Sequence, residues 1–270
     1  MIAYNDISAI TEVYLGNQSI SEVYCCDAKV FPVETPPTPT GNKFSCVVNG
    51  ETYTLECPDV EHPYTEIDRF EIDVNIDNYQ QVTSAVAGDC ATAIRNNVFN
   101  NCQILSSVTI SDSVTSLGNN VFYHCYNLSG ITIPNSVTSI GGSTFAGCVN
   151  LTSVNIPSGL TTIKYGTFDD CIRLLDIVIP ASVNKIEYDA FMLHDSDIPD
   201  EKAVILNTLA NRRVYIHSLI PPVVGSNAFA SGVPNVPATY KILVPNVSVE
   251  LYKTTGNWVY YSDRIEGMCG

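Results

Sequence analysis

Histidine is scarce among the residues able to do chemistry, and cysteine is plentiful. The four histidines stand at His62, His124, His194 and His217, too scattered to share a motif, whereas cysteine occurs ten times. No glycine-rich loop opens a helix, and neither G-x-S-x-G nor H-E-x-x-H occurs. HDSDIPDE (194–201) offers Asp195, Asp197 and Asp200 to a Ca²⁺ ion. Its spacing is not that of an EF-hand, and a solvated insertion loop is the expectation. Cys25-Cys26 is a vicinal pair with no partner motif and reads as strand filler. The sequence therefore points to no catalytic, metal or cofactor site and to a protein that is not an enzyme.

The remaining cysteines are informative through their spacing. Cys102, Cys125, Cys148 and Cys171 recur every 23 residues, and His194 takes the next place. Phe99, Phe122, Phe145, Phe168 and Phe191 keep the same step. So do Leu105, Leu128, Leu151 and Leu174, then Ile110, Ile133, Ile156 and Ile179, then Val114, Val137, Leu160 and Val183. Ile94, Leu117, Ile140, Ile163 and Ile186 complete the unit. One such unit cannot bury its apolar face alone, but stacked units share a core, so a repeat solenoid is expected. Leu105, Val108 and Ile110 point inward from a short strand, and a second segment carries Val114 and Leu117 inward. Phe and Cys follow from a turn. The thiols form a buried column, because a ladder gives neither disulfide geometry nor four ligands converging on zinc. Thiols that persist fit cytoplasmic synthesis, and His194 in that column reads as a structural histidine.

Alternation along the first strand leaves Ser107 and Thr109, Gly130 and Thr132, Ser153 and Asn155, and Asp176 and Val178 facing outward. This small, polar, almost uncharged face is the candidate surface for a glycan or for protein backbone. Tyr123, Tyr126, Tyr165 and Tyr188 lie near the Phe and Cys turns and suggest an aromatic edge.

Composition narrows the function further. The chain has 270 residues, a formal net charge of -15 and only 15% charged residues. Its first hundred residues hold 15 acids against 4 bases, and the segment 51–77 holds nine acids against Arg69 alone. An acidic chain repels phosphate backbones, so nucleic acid is not an expected partner. No run of 18 apolar residues exists, so membrane insertion is not expected. The start, MIAYNDISAITEVYLG, has no Lys or Arg before Lys29 and does not read as a secretory signal, which points to synthesis in the cytoplasm.

IGGSTFAGCVNLTSVNIPSGL (140–160) resembles the motif of the BspA-like leucine-rich repeats, a bacterial class, and the resemblance covers about 82–191. VYIHSLIPPVVGSNAF (214–229), KILVPNVSVELYK (241–253) and WVYYSDRI (258–265) resemble that family's closing element. The resemblance implies a mainly β leucine-rich-repeat solenoid that binds rather than catalyses. The chain departs from surface-exposed members in lacking a visible secretion signal and in carrying a foreign N-terminal segment. That segment, ITEVYLGNQSISEVYCCDAKVF, repeats a strand unit after ten residues and resembles strand-turn segments of phage tail, fibre and other virion proteins.

The expected organisation is a β anchor module (1–31), a Pro/Thr linker (32–42), a hairpin and N-terminal cap (43–81), the solenoid (82–193), and an insertion loop with C-terminal cap (194–270). Within 43–57 the hairpin turns at Asn49-Gly50, and Cys46 and Cys57 could face each other across it as thiols or as a disulfide. Val13, Tyr14, Leu15, Val23, Tyr24 and Phe31 give the anchor an apolar load without a local core, so pairing with copies of itself or with a virion protein is expected. The favoured reading is a non-enzymatic phage virion component, fibre-like or decorating, located in the virion. The alternative is a host-interaction protein of the bacterial surface.

Overall fold

The computed structural model describes residues 42–56, 66–69, 79–194, 204–205, 208, 210–230 and 240–268, with the backbone of short strands between 14 and 32. Those strands pair as two antiparallel hairpins, Tyr14–Leu15 with Gln18–Ser19 and Glu22–Cys25 with Ala28–Pro32. The anchor side chains of Val13, Tyr14, Leu15, Val23, Tyr24 and Phe31 lie outside the described residues, as do Cys57 and the three aspartates of 195–200.

Each 23-residue unit makes one coil with three sides. On the first side, Ser107–Ile110 runs parallel to Val82–Ala87, Gly130–Ile131 to Ser153–Val154, and Asp176–Ile179 to Arg213–Ile216. Ala93–Ile94, Ser116–Leu117 and Ser139–Ile140 pair likewise on the second side, as do Thr162–Ile163, Lys185–Ile186 and Val223–Val224. The third side is a turn that needs a left-handed backbone at two fixed places. Asn97, Asn120, Ser143, Gly166, Asp189 and Asn227 fill the first, with φ between 53° and 62°, and Asn101, His124, Gly147 and Asp170 fill the second, with φ between 53° and 72°. Gly, Asn and Asp bear that conformation at least cost, which explains most of both columns. Coil-to-coil amide bonds close this side as well, including Phe99 N to Val121 O at 2.9 Å and Phe122 N to Thr144 O at 2.8 Å.

The repeating apolar columns fill the interior. All five Phe, all four column Cys and all four column Leu residues are 2% exposed or less, so the register read from the sequence is the one the chain adopts. The rings of Phe99, Phe122, Phe145, Phe168 and Phe191 stack with centroids 5.2–5.5 Å apart. The stack continues beyond the regular repeat to Phe44 at one end and to Phe229 and Trp258 at the other.

The column thiols are free. Three of them donate: Cys125, Cys148 and Cys171 Sγ reach the carbonyls of Phe99, Phe122 and Phe145 at 3.2, 3.1 and 3.3 Å. A small apolar side chain with one weak proton meets a buried carbonyl that alanine would leave bare. Burial pushes the thiols of Cys125, Cys148 and Cys171 well above their usual range.

After Leu193 the regular spacing breaks, but the core does not. Phe229 follows Phe191 by 38 residues, and the first side continues through Arg213–Ile216, Lys241–Val244 and Ile265–Gly267. Arg212 is buried at this break, and among the described residues no carboxylate pairs with it. Its guanidinium donates to the carbonyls of Leu174 (3.0 Å), Phe191 (3.0 Å) and Cys171 (3.1 Å). Tyr240 Oη donates to Phe229 O at 2.6 Å, and the Arg264 guanidinium stands 4.8 Å from the Tyr240 ring. The carbonyls that thiols serve in the regular coils are thus served by Arg and Tyr in the irregular ones.

Both ends are capped. Asn42–Val48 and Glu51–Glu56 form the expected hairpin, turning through positive φ at Asn49 (52°) and Gly50 (85°). Asn42–Val48 then lies antiparallel on Val82–Ala87 and closes the exposed sheet edge. The disulfide option for Cys46 does not hold. Cys46 is a free thiol, 2% exposed, facing the core opposite Tyr53. Cys90, by contrast, is disulfide-bonded. The C-terminal cap is helical: Val249–Thr254 and the 3-10 turn Gly256–Arg264 deliver Trp258 and Tyr261 onto the last Phe, with Tyr252 packed edge-on against Trp258. Among the described residues, no helix is long and apolar enough to cross a membrane.

Candidate binding surface

The first-side positions expected to face outward do so unequally. Ser107, Thr109, Thr132, Ser153, Asn155, Asp176 and Val178 are exposed, and Gly130 is half-buried. Asn155 is committed to the scaffold: its Nδ2 donates to Ile133 O at 2.6 Å, and its Oδ1 accepts from Ile133 N at 2.7 Å. Asp176 is held by Arg213 through two parallel contacts of 2.9 and 3.1 Å. Ser107, Thr109, Thr132 and Ser153 remain as a shallow row of hydroxyls.

The second side carries a concavity that sequence reasoning did not single out. A groove of about 470 Å³ runs across Ala93–Ile94, Ser116–Leu117 and Ser139–Ile140. Its hollow comes from one column: Arg95, Gly118, Gly141 and Lys164 are 23 residues apart. Between the two long cationic side chains, two successive coils offer no side chain at all. Glycine is required there, because a Cβ on Gly118 would lie 2.5 Å from Asn96 N, and one on Gly141 would lie 2.3 Å from the carbonyl carbon of Gly118. Asn96 and Asn119 brace the same stretch, each accepting from a backbone amide of the next coil, Asn119 N at 2.7 Å and Gly142 N at 2.8 Å. Glu66 and Asp68 close one end and pair with Arg95, and Lys164 stands at the other. The groove therefore has a floor held by coil-to-coil hydrogen bonds and a rim charged with opposite signs.

Two aromatic groups lie near the turns rather than one continuous edge. Tyr165 stacks on Tyr188 with centroids 5.5 Å apart and planes 10° from parallel, and Tyr188 is 51% exposed. This pair borders the groove, since Tyr165 follows Lys164 and its ring covers Gly142. Tyr123, His124 and Tyr126 form the second group, at 3.9 and 5.4 Å.

His194 departs from the expected buried column. Leu193 takes the inward place, and His194 turns outward to meet Asp169 and Asp170. Burial, and then the charge of Asp170, push the Asp169 carboxyl up to about 7.

Residues 71–196 match the family described as BspA type Leucine rich repeat region, in six copies. A leucine-rich repeat protein of T. pallidum is 20% identical over 69% of this chain and 85% of that one, with a TM-score of 0.43. A leucine-rich cell surface protein of Faecalibacterium prausnitzii is 20% identical over 68% of this chain and 59% of its own, with a TM-score of 0.32. For a leucine-rich repeat protein of Bacteroides ovatus the identity is 20%, the coverage 74% and 61%, and the TM-score 0.36. The chain spans less than two thirds of the latter two. No curated protein matches it.

Proposed function

We propose that the chain is a non-enzymatic adhesion protein whose repeats hold a polar ligand, a surface glycan in the first instance, in the second-side groove. The observation that carries this reading is the column Arg95, Gly118, Gly141 and Lys164, which builds a hollow with a fixed backbone floor. Ser116 and Ser139 offer hydroxyls along it, and the Tyr165–Tyr188 stack offers a flat apolar face at its edge. Hydroxyl and amide partners beside an aromatic plane suit a sugar ring, which has a polar rim and apolar faces. A protein segment is the competing ligand, and a glycan array run beside a bacterial-surface protein array separates the two.

The favoured carrier is a phage virion, with residues 1–31 attaching and the solenoid projecting. The support is the resemblance of ITEVYLGNQSISEVYCCDAKVF to virion strand segments and the Pro/Thr stretch that follows. Placement on a bacterial surface is the second reading, supported by the repeat family. The Cys90 disulfide suits either, because both face an oxidising exterior. Mass-spectrometric detection of the polypeptide in purified virions supports the first, and its presence only on bacterial cells supports the second.

A further inference from the structure

Outside the groove, one cluster of side chains has more acceptors than protons. His194 Nδ1 lies 3.2 Å from Asp169 Oδ1 and 3.2 Å from Asp170 Oδ2. One ring nitrogen carries at most one proton, so it can donate to only one of these oxygens. The consequence is visible: Asp169 Oδ1 is buried and accepts no hydrogen bond. The Asp189 carboxylate adds its field to Asp169, and its own Oδ1 is likewise buried and unpartnered. Asp170 is fixed from behind, because its Oδ1 accepts the His194 backbone amide at 2.7 Å. An unpaired buried carboxylate oxygen is costly unless a positive charge meets it.

We propose that Asp169, Asp170 and His194 form a Zn²⁺ site that clamps the last regular coil to the chain leaving it. One donor atom from each residue lies within 4.8 Å of the other two. A zinc tetrahedron with bonds of about 2.0–2.1 Å has edges of about 3.3 Å, close to the two nitrogen–oxygen separations already present. The donor set is one imidazole and two carboxylates, with a water completing four-coordination, and the two carboxylates neutralise the ion. An imidazole ligand disfavours Ca²⁺ and Mg²⁺, which take oxygen. The site is confined to one level of the solenoid. One and two coils earlier, the positions of Asp169 and Asp170 hold Ala146 and Gly147, and Tyr123 and His124. Zinc here would join residues 24 and 25 apart in sequence where the regular repeat gives way to the insertion.

Isothermal titration of the full-length, metal-stripped protein with Zn²⁺ alone tests this. The expected result is one saturable equivalent and a zinc-dependent rise in the thermal midpoint, by mass action on the folded state. His194→Ala and Asp170→Asn should each weaken binding more than the roughly 10–100-fold caused by losing an outer-sphere partner. Both residues are solvent-accessible, so both variants should fold. The double variant Asp195→Asn/Asp197→Asn should bind as the parent does. Co²⁺ substituted for zinc should give tetrahedral visible bands without thiolate charge-transfer absorption. No saturable binding, or unchanged binding in His194→Ala, overturns the proposal. Loss of binding in the Asp195/Asp197 variant, or a thiolate spectrum, overturns it in favour of other ligands.

Discussion

Cysteine in the repeat is a hydrogen-bonding residue that looks apolar. The Sγ atoms of Cys125, Cys148 and Cys171 each meet the Phe carbonyl of a neighbouring coil, so the cost of removal combines lost packing with a bare carbonyl. Cys125→Ala and Cys148→Ala should each fold while losing about 1–2 kcal/mol in urea titration. In the native protein Cys125, Cys148 and Cys171 should resist alkylation, because all three are fully buried and burial raises their pKa values. Arg212 makes the same point at higher stakes. Arg212→Met strands three buried carbonyls, at about 1–3 kcal/mol each, and should shift the urea midpoint by more than either thiol variant. A shift smaller than that of Cys125→Ala would mean that the carbonyls find other donors. The thiol column was legible because it repeats. Arg212 was not: Asn211-Arg212-Arg213 looks like solvated charge, and only the packed structure shows which arginine turns inward.

At the scale of the element, a coil is a level in a stack rather than a unit that folds by itself. Phe145 has a ring above and a ring below, at 5.3 and 5.4 Å. Phe145→Ala should cost roughly 3–5 kcal/mol, since the rigid levels on both sides prevent the cavity from closing. Phe44, at the hairpin end, meets only one ring of the stack, tilted at 37° and 5.8 Å away, so Phe44→Ala should cost less in the same titration. Equal denaturant midpoints would contradict a continuous Phe stack. The strands, the turns and the inward columns follow from spacing alone, because a period of 23 admits one register. The groove does not. It arises because Gly118 and Gly141, ordinary in sequence, fall in the column of Arg95 and Lys164, and a hollow exists only once coils are stacked. The His194 position misled for a related reason: periodicity predicts the next member of a column, whereas the repeat ends one residue earlier with Leu193 facing inward.

For the whole molecule, the hairpin and the helical cap cover the two ends of the stack, which suits a solenoid that remains monomeric through its own body. Self-association would then rest on the N-terminal segment. Removing residues 1–41, which stops short of the cap strand Asn42–Val48, should leave a cooperatively folding solenoid that sediments as a monomer. An unchanged oligomeric state after truncation would argue against the anchor. The most direct test of the account is equilibrium binding of the full-length protein to its best array hit, compared between two single-site variants. Ser139→Trp fills the groove, and Thr132→Trp places the same bulk on the exposed first side. Binding should fall at least about tenfold, roughly 1.4 kcal/mol, in Ser139→Trp and stay unchanged in Thr132→Trp. Retained binding in Ser139→Trp with loss in Thr132→Trp would contradict the groove and move the site to the hydroxyl row.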